Sequence, residues 1–588
     1  MRLFLFFLTS SFLLLHTHTL AAIELQELTY DKLLTNQYTD HVQHLKKLFD
    51  MVKIKSVLEF GCGYGTKYLL DNCTQVTSVE IVLPDQTNEW FLQTKQLFSG
   101  YNNWMPLIKY GNINLQKANL FCIRERKDPA LRDGYYLLEL KNICDELFTQ
   151  NTYEMAFVDP GFHMRGDLVN ELFDRVSIIV AHDTSYGHDA YGWRKIYTPS
   201  NYTKISFTTG CGVTFWIRND RKDLLLAFGL KESPKARKSL RIFTSDPHPI
   251  MIQSLAIAFK HLGHTLVLPG FSFSTSNQAG GLKMPYGELF NKDILKNYSF
   301  LQFFSKDPQS IYCKFMTDNI EVIENDEILK NPPDILLVNC RENENAMYEI
   351  YQAIQETGQK LPKIIHFSGN NTSFYNPAKV KNLIAVDAYT ASRYNIDTIN
   401  CVFWIPWIDF DNLHFTGFND STILNTYIAH YYRGSFVQSA SCYYDFSRKF
   451  SEEIPNVIFH AYPDKPINEY PYLTRSEIFQ AIDDSCATMH IKEREGFGYT
   501  IIESIAKGRP VFLKRSWSIG SRLMNWCIEG KTAFFFDDYQ EFYDKLKYYL
   551  ENTEYRHQVQ KESSTIIRKI IDNEKQLRVL DAFLQNLL

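Results

Sequence analysis

Short apolar runs that end at a glycine, an aspartate or a helix start recur along this chain, and they leave few folds open. SVLEF (56–60), TSVEIV (77–82), MAFVDP (155–160), SIIVAHD (177–183) and GVTFWIR (212–218) form a first set. SLRIFTSD (239–246), PDILLVN (333–339), KIIHFS (363–368) and NLIAVD (382–387) form a second, and NVIFHAY (456–462), ATMHI (487–491) and PVFLK (510–514) a third. Runs this short and this continuously apolar read as strands buried on both faces. Helical stretches such as MIQSLAIAFKHLG (251–263) lie between them. The alternation predicts parallel sheets covered by helices on both sides. At 588 residues the chain is too long for one core, so several α/β domains are expected.

The ends and the charge bound the function classes. Arg2 followed by LFLFFLTSSFLLL, with small residues up to Ala22, has the layout of a secretory signal peptide, an uncleaved anchor being the second reading. The apolar run is shorter than the roughly 18 residues of a spanning helix. A net charge of −5 supplies no basic field for nucleic acid. KESPKARK (231–238) reads as a solvated linker. Eleven scattered cysteines without a CxxC pair read as mostly core thiols, which leaves the compartment open between the secretory pathway, the periplasm, a membrane and the cytosolic face of one.

REGFGYTIIESIAKGRPV (494–511) places a glycine turn between the strand ATMHI and a helix that Gly508 stops. Free N–H groups at such a helix start favour an anion, and glycines let the backbone approach a diphosphate. Glu495 and Glu503 bracket Gly496 and Gly498, and a carboxylate accepts two hydroxyl hydrogen bonds, as a sugar or ribose requires. The pattern E-G-F-G-x4-E-x-x-A-x-G-x-P-V closely resembles retaining glycosyltransferases of GT-B fold, of the glycosyltransferase 4 (group 1) type. The likeness extends over 528–552 and over 385–413, and in all over 239–588. It implies that Glu503 holds the donor ribose, Glu495 orients the transferred sugar and acts in catalysis, and Gly496 and Gly498 face the diphosphate. Arg433 is the implied cation for the leaving diphosphate, and His366 matches an active-site histidine of some members. The lysine usual a few residues after that arginine is absent; the next one is Lys449.

VLEFGCGYGT (57–66) repeats the strand, glycine turn and helix start, with Glu59 before Gly61, Gly63 and Gly65, and with Glu80 at the end of the next strand. An acidic residue there pairs with ribose hydroxyls in dinucleotide sites, so NAD stays open on spacing alone. E-x-G-x-G-x-G resembles motif I of class I S-adenosylmethionine-dependent methyltransferases. FVDPGFHMRGDLVNELFDRVSIIVAHDT (157–184) resembles their small-molecule O-methyltransferase branch. That likeness implies a S-adenosylmethionine pocket at Glu59, Gly61, Gly63, Gly65 and Glu80. It further implies a divalent cation on Asp159 and Asp183, and a base at His163 or His182.

The expected architecture is therefore a leader over 1–22, a Rossmann-like methyltransferase domain over 23–220 and a linker over 221–238. A GT-B pair of Rossmann-like domains follows over 239–415 (acceptor) and 416–588 (donor). The expected function is retaining glycosyl transfer from a nucleotide sugar to a glycan, lipid or protein hydroxyl, together with O-methylation. The alternative is an exported or membrane-associated glycan-binding protein with non-catalytic transferase domains. A structural or adhesion protein would bind no nucleotide, and the 35 tyrosines fit glycan stacking or core equally.

Overall fold

A computed structural model describes residues 28–36, 39–112, 115–116, 135–185, 191–193, 196, 198–199, 201–229, 237–244, 249–269, 319–323, 327–339, 344–368, 375–386, 394, 399–428, 445–463, 475–490, 497–518 and 526–588. The expected leader, Arg433, Glu495 and Gly496 lie outside the described residues. Contacts divide the chain into two compact units, Met1–Ile123 with Glu139–Pro234, and Arg124–Leu138 with Lys235–Leu588.

The first unit is built on seven strands: β1 (Ser56–Phe60), β2 (Gln75–Val82), β3 (Trp104–Tyr110), β4 (Met155–Val158), β5 (Ile178–His182), β6 (Tyr202–Phe207) and β7 (Val213–Arg218). Their order is β3-β2-β1-β4-β5-β7-β6, parallel throughout except for β7, which runs antiparallel to both β5 and β6. β4 and β5 are buried at every position, which requires cover on both faces. Helices α1 (Val42–Met51), α2 (Thr66–Asn72) and α3 (Arg165–Leu172) belong to this unit. The core runs from Leu45 and Leu48 of α1 through Val57, Met155, Ile178 and Phe215. β6 carries no continuous apolar run and, after one buried position, alternates between half-buried and exposed; β3 contains Pro106, tolerated on an edge strand.

The second unit holds two sheets, all of whose strands are parallel. One comprises β8 (Arg241–Thr244), β9 (Thr265–Pro269), β10 (Ile320–Ile323), β11 (Ile335–Val338), β12 (Lys363–Ser368), β13 (Asn382–Ala385) and β14 (Asn400–Phe403), in the order β10-β9-β8-β11-β12-β13-β14. The other comprises β15 (Ile423–Ile428), β16 (Ile458–Pro463), β17 (Ala487–His490), β18 (Val511–Lys514) and β19 (Ala533–Phe536), in the order β16-β15-β17-β18-β19. Helices α4 (Pro249–His261) and α5 (Glu344–Glu356) serve the first sheet, and α6 (Tyr499–Ala506) follows β17. The last helix, α7 (Asn573–Asn586), returns to the first sheet's side. Gln576 accepts from Ile405 N–H at 2.7 Å, Asn573 donates to the Ile408 carbonyl at 2.6 Å, and Asp581 pairs with Arg237 at 3.0 Å.

The fold class is thus α/β of Rossmann type, one such domain followed by a pair. Among neighbouring parallel strands each sheet reverses its order at one place: between β1 and β4, between β8 and β11, and between β15 and β17. In an open α/β sheet the ligand crevice opens at that reversal, beyond the carboxyl ends of the strands. Among the described residues no helix is long and apolar enough to cross a membrane.

Candidate functional site

The reversal in the first unit lies between the two segments that the sequence singles out. Gly61 follows β1 at φ +84, and a Cβ there would collide with the Asp159 carbonyl and Pro160 that follow β4. Only glycine combines that backbone angle with that approach. Glu59 does not face the crevice. It is 1% exposed, and its carboxylate accepts from Ser78 Oγ at 2.5 Å and from Thr66 Oγ1 at 2.9 Å, tying β1 to β2 and to α2. Burial raises its pKa to about 8 despite those hydrogen bonds. An ammonium-binding role for Glu59 would need those partners released. Glu80 lies at the turn as expected, accepting from Cys62 N–H at 3.3 Å, and burial raises it to about 7. Trp90 donates to the Cys62 carbonyl at 2.7 Å and borders Gly63.

Beyond β4 and β5 lies a chain of alternating charges. His182 contacts Asp40 Oδ1 through Nε2 at 2.6 Å and Asp159 Oδ2 through Nδ1 at 3.1 Å. The other Asp159 oxygen accepts from Arg165 Nη1 at 2.7 Å, and the same nitrogen donates to Asp183 at 2.9 Å. Asp159 and Asp183 therefore come together, around the Arg165 guanidinium. Burial alone would lower His182, but the flanking Asp159 and Asp40 raise it to about 10. A ring held protonated in this way is a poor base. His163 stacks on Tyr191, and burial with nearby Arg165 lowers its pKa.

Sequence reading missed Asp40, His41 and Arg165. His41 is 2% exposed, lies against Phe157 and His182, and fills the space that a Cβ on Gly65 would take. Burial lowers its pKa to about 3, so it is neutral at physiological pH. Gly65 thus makes room for an imidazole of this chain. The signal available was TDHVQHL (39–45), but its partners lie over a hundred residues away.

In the second unit Gly498 sits at φ +76 after β17 and caps α6, accepting from Ile501 and Ile502 N–H at 3.0 and 3.1 Å. Glu503 lies on the second turn of α6 and is 2% exposed. The neighbouring strand across the reversal is β15, whose Leu424 and Asn425 pair with Ala487 and Thr488. Tyr499, beside Gly498, donates to Ser254 Oγ of α4 at 2.9 Å, and Ser254 donates to the Trp407 carbonyl at 2.8 Å. One hydroxyl thereby ties the glycine turn to the other sheet of the pair. His366 lies within β12 fully buried, with Nε2 3.2 Å from Glu344 on α5 and its ring on edge to Tyr375. Its imidazole is packed among groups of this chain.

A scan of protein families and a search of curated proteins each returned no match. Among solved structures, Staphylococcus aureus TarM is similar at 12% identity over 42% of this chain and 54% of TarM, with a TM-score of 0.34, so the chain spans about half of TarM's length. Anabaena HepE in complex with UDP-glucose is similar at 11% identity over 59% of this chain and all of HepE, with a TM-score of 0.37. A Staphylococcus aureus chain described as a caffeoyl-CoA O-methyltransferase is similar at 15% identity over 30% of this chain and 82% of its own, with a TM-score of 0.20. At such identities and scores the likenesses assign no residue and no activity to this chain.

Proposed function

We propose that the second unit transfers a sugar, with retention, from a nucleotide-sugar donor to a hydroxyl of a glycan, lipid or protein. The observation that carries this reading is the turn at Gly498. It follows β17 at the β15/β17 reversal, opens α6 at positive φ, and is followed by a carboxylate on the same helix. A helix start at such a reversal suits a diphosphate. In this reading Gly496 and Gly498 face the diphosphate, Arg433 offsets its charge, Glu503 takes the ribose and Glu495 orients the sugar. The test exposes the full chain to UDP-, GDP- and ADP-sugars, reading melting temperature and nucleoside diphosphate release. A donor at 100 times its Kd adds about 2.7 kcal/mol, several degrees of melting, and Glu495→Ala should abolish release. If glycans stabilise the chain and no nucleotide sugar does, the glycan-binding alternative replaces this reading.

A second reading concerns the first unit: S-adenosylmethionine binding at Gly61–Gly65, in the service of O-methylation. It is supported by the carboxylates that crowd this edge, Glu80, Asp40, Asp159 and Asp183. Such a wall suits a sulfonium and disfavours a pyrophosphate. A melting shift with S-adenosylmethionine but not with NAD is expected, and NAD alone giving the shift would reverse the assignment.

A further inference from the structure

Asp40, His41 and His182 bring one carboxylate and two imidazoles together at the edge of the first sheet, with one ligand-type atom from each lying within 4.8 Å of the others. We propose that these three residues bind one divalent transition-metal ion of the zinc class. The proposal needs neither transferase reading.

Four observations carry it. First, neither ring nitrogen of His41 has a hydrogen-bond partner among the described residues, although the ring is buried. An unpaired buried polar group costs roughly 1–3 kcal/mol, so the site favours a ligand that His41 can bind. Second, the supporting shell is already built. His182 engages Asp40 through Nε2 while Nδ1 faces Asp159 at 3.1 Å, and the second oxygen of Asp40 accepts from Cys211 N–H at 2.8 Å. Metal-bound imidazoles and carboxylates are held in this way by outer carboxylates and amides.

Third, the backbone has made room for these two side chains. A Cβ at Gly65 would strike the His41 ring, and one at Gly210, which has φ +64, would strike the Asp40 carboxylate. Fourth, the charges fit. Once an incoming ion displaces the His182 proton, Asp40, Asp159 and Asp183 face one cation among the described residues, Arg165, leaving two negative charges that a dication cancels.

Tetrahedral zinc bonds of about 2.0–2.2 Å set ligand atoms roughly 3.3 Å apart. The His182–Asp40 pair, at 2.6 Å with a proton between, must open slightly, and His41 must move inward. Two imidazoles and one carboxylate leave a fourth position open, the donor set of a reactive rather than a purely structural ion.

The test uses the untagged full chain, stripped with chelator and then given Zn2+ or Co2+ alone. Expected are one tightly bound equivalent per chain and a cobalt spectrum with two imidazole ligands by X-ray absorption on the wild type. His41→Gln and Asp40→Asn should weaken binding roughly 100-fold or more, and Asp159→Asn roughly 10–100-fold, through His182. Cys211→Ser should leave binding intact. The proposal is overturned if the folded wild type takes up no ion at micromolar concentrations or if the wild-type spectrum shows no imidazole. Binding that survives His41→Gln unchanged, or that is lost with Cys211→Ser instead, places the ion elsewhere and also overturns it.

Discussion

The glycine turns after β1 and after β17 occupy the same topological place in two different sheets, yet they are wired differently. After β1 the chain uses its own groups: Glu59 holds Ser78 and Thr66, Glu80 holds the turn at Cys62, and Asp159 holds Arg165 and His182. After β17, Gly498 opens α6 and Tyr499 reaches across to Ser254 beside the other sheet. The first turn is therefore a carboxylate-lined edge whose partners are groups of this chain. The second is a helix start tied by a hydrogen bond to the other sheet of its pair. Topology fixes where a ligand site can open, and local charge decides what enters it.

The largest expected effect separates the two turns by strain. Gly61→Ala places a Cβ against the Asp159 backbone at a positive φ, so neither a rotamer change nor a side-chain shift relieves it. A loss of about 3 kcal/mol or more is expected in the first unit, with the second unit's melting unchanged. Gly498→Ala meets the left-handed penalty at φ +76, about 1–2 kcal/mol, and should act on the second unit. Scanning calorimetry with limited proteolysis assigns each loss to its unit. Equal costs at the two positions would mean that the close approach of β1 and β4 relaxes.

A pH series sharpens the electrostatic half of the comparison. Glu59 is raised to about 8 from an ordinary value near 4.5, so between those pH values the folded state holds a proton that the unfolded state has lost. Its contribution is present in full below the unfolded pKa and is lost as pH rises through the folded one. At its steepest the first unit should lose about 1.4 kcal/mol per pH unit from this group alone. Glu59→Gln removes the titrating group while keeping one accepting oxygen for Ser78 or Thr66, and should flatten that slope. An unchanged slope would place the titration elsewhere, with Glu80 the next group to replace.

How far these features could be read beforehand follows from what each depends on. Strands such as SVLEF, ATMHI and PVFLK declare themselves because both faces are buried, and the glycine turns are local in sequence. β3 and β6 did not, since an edge strand tolerates Pro106 and exposed positions. Gly61 and Gly498 lie where their motifs suggested. Glu59, however, turned out to be a buried tie, and Asp159 and Asp183 meet around Arg165. Whether a strand-end carboxylate faces a ligand or an internal cation depends on residues far away in the chain. Asp40 and His182 illustrate it: 142 positions separate them, and only the sheet order brings them together.

The smallest expected effect tests whether the second turn is coupled to its neighbour. Tyr499→Phe removes one hydrogen bond to Ser254 while keeping the ring against Phe497, so about 1 kcal/mol should be lost. Ser254→Ala removes the same bond and also the one to the Trp407 carbonyl, so its own cost should be larger. The double variant should cost less than the sum, by roughly 0.5–1 kcal/mol, because the Tyr499–Ser254 bond is counted in both singles. If the costs simply add, the hydroxyls do not act on one another, and this bond does not couple the turn after β17 to the other sheet of its pair. If they couple, the same cycle repeated with a bound nucleotide sugar reads the direction of the link. Coupling that grows with donor means that the ligand draws the two sheets together, and coupling that vanishes means that Tyr499 must leave Ser254 for the donor to enter.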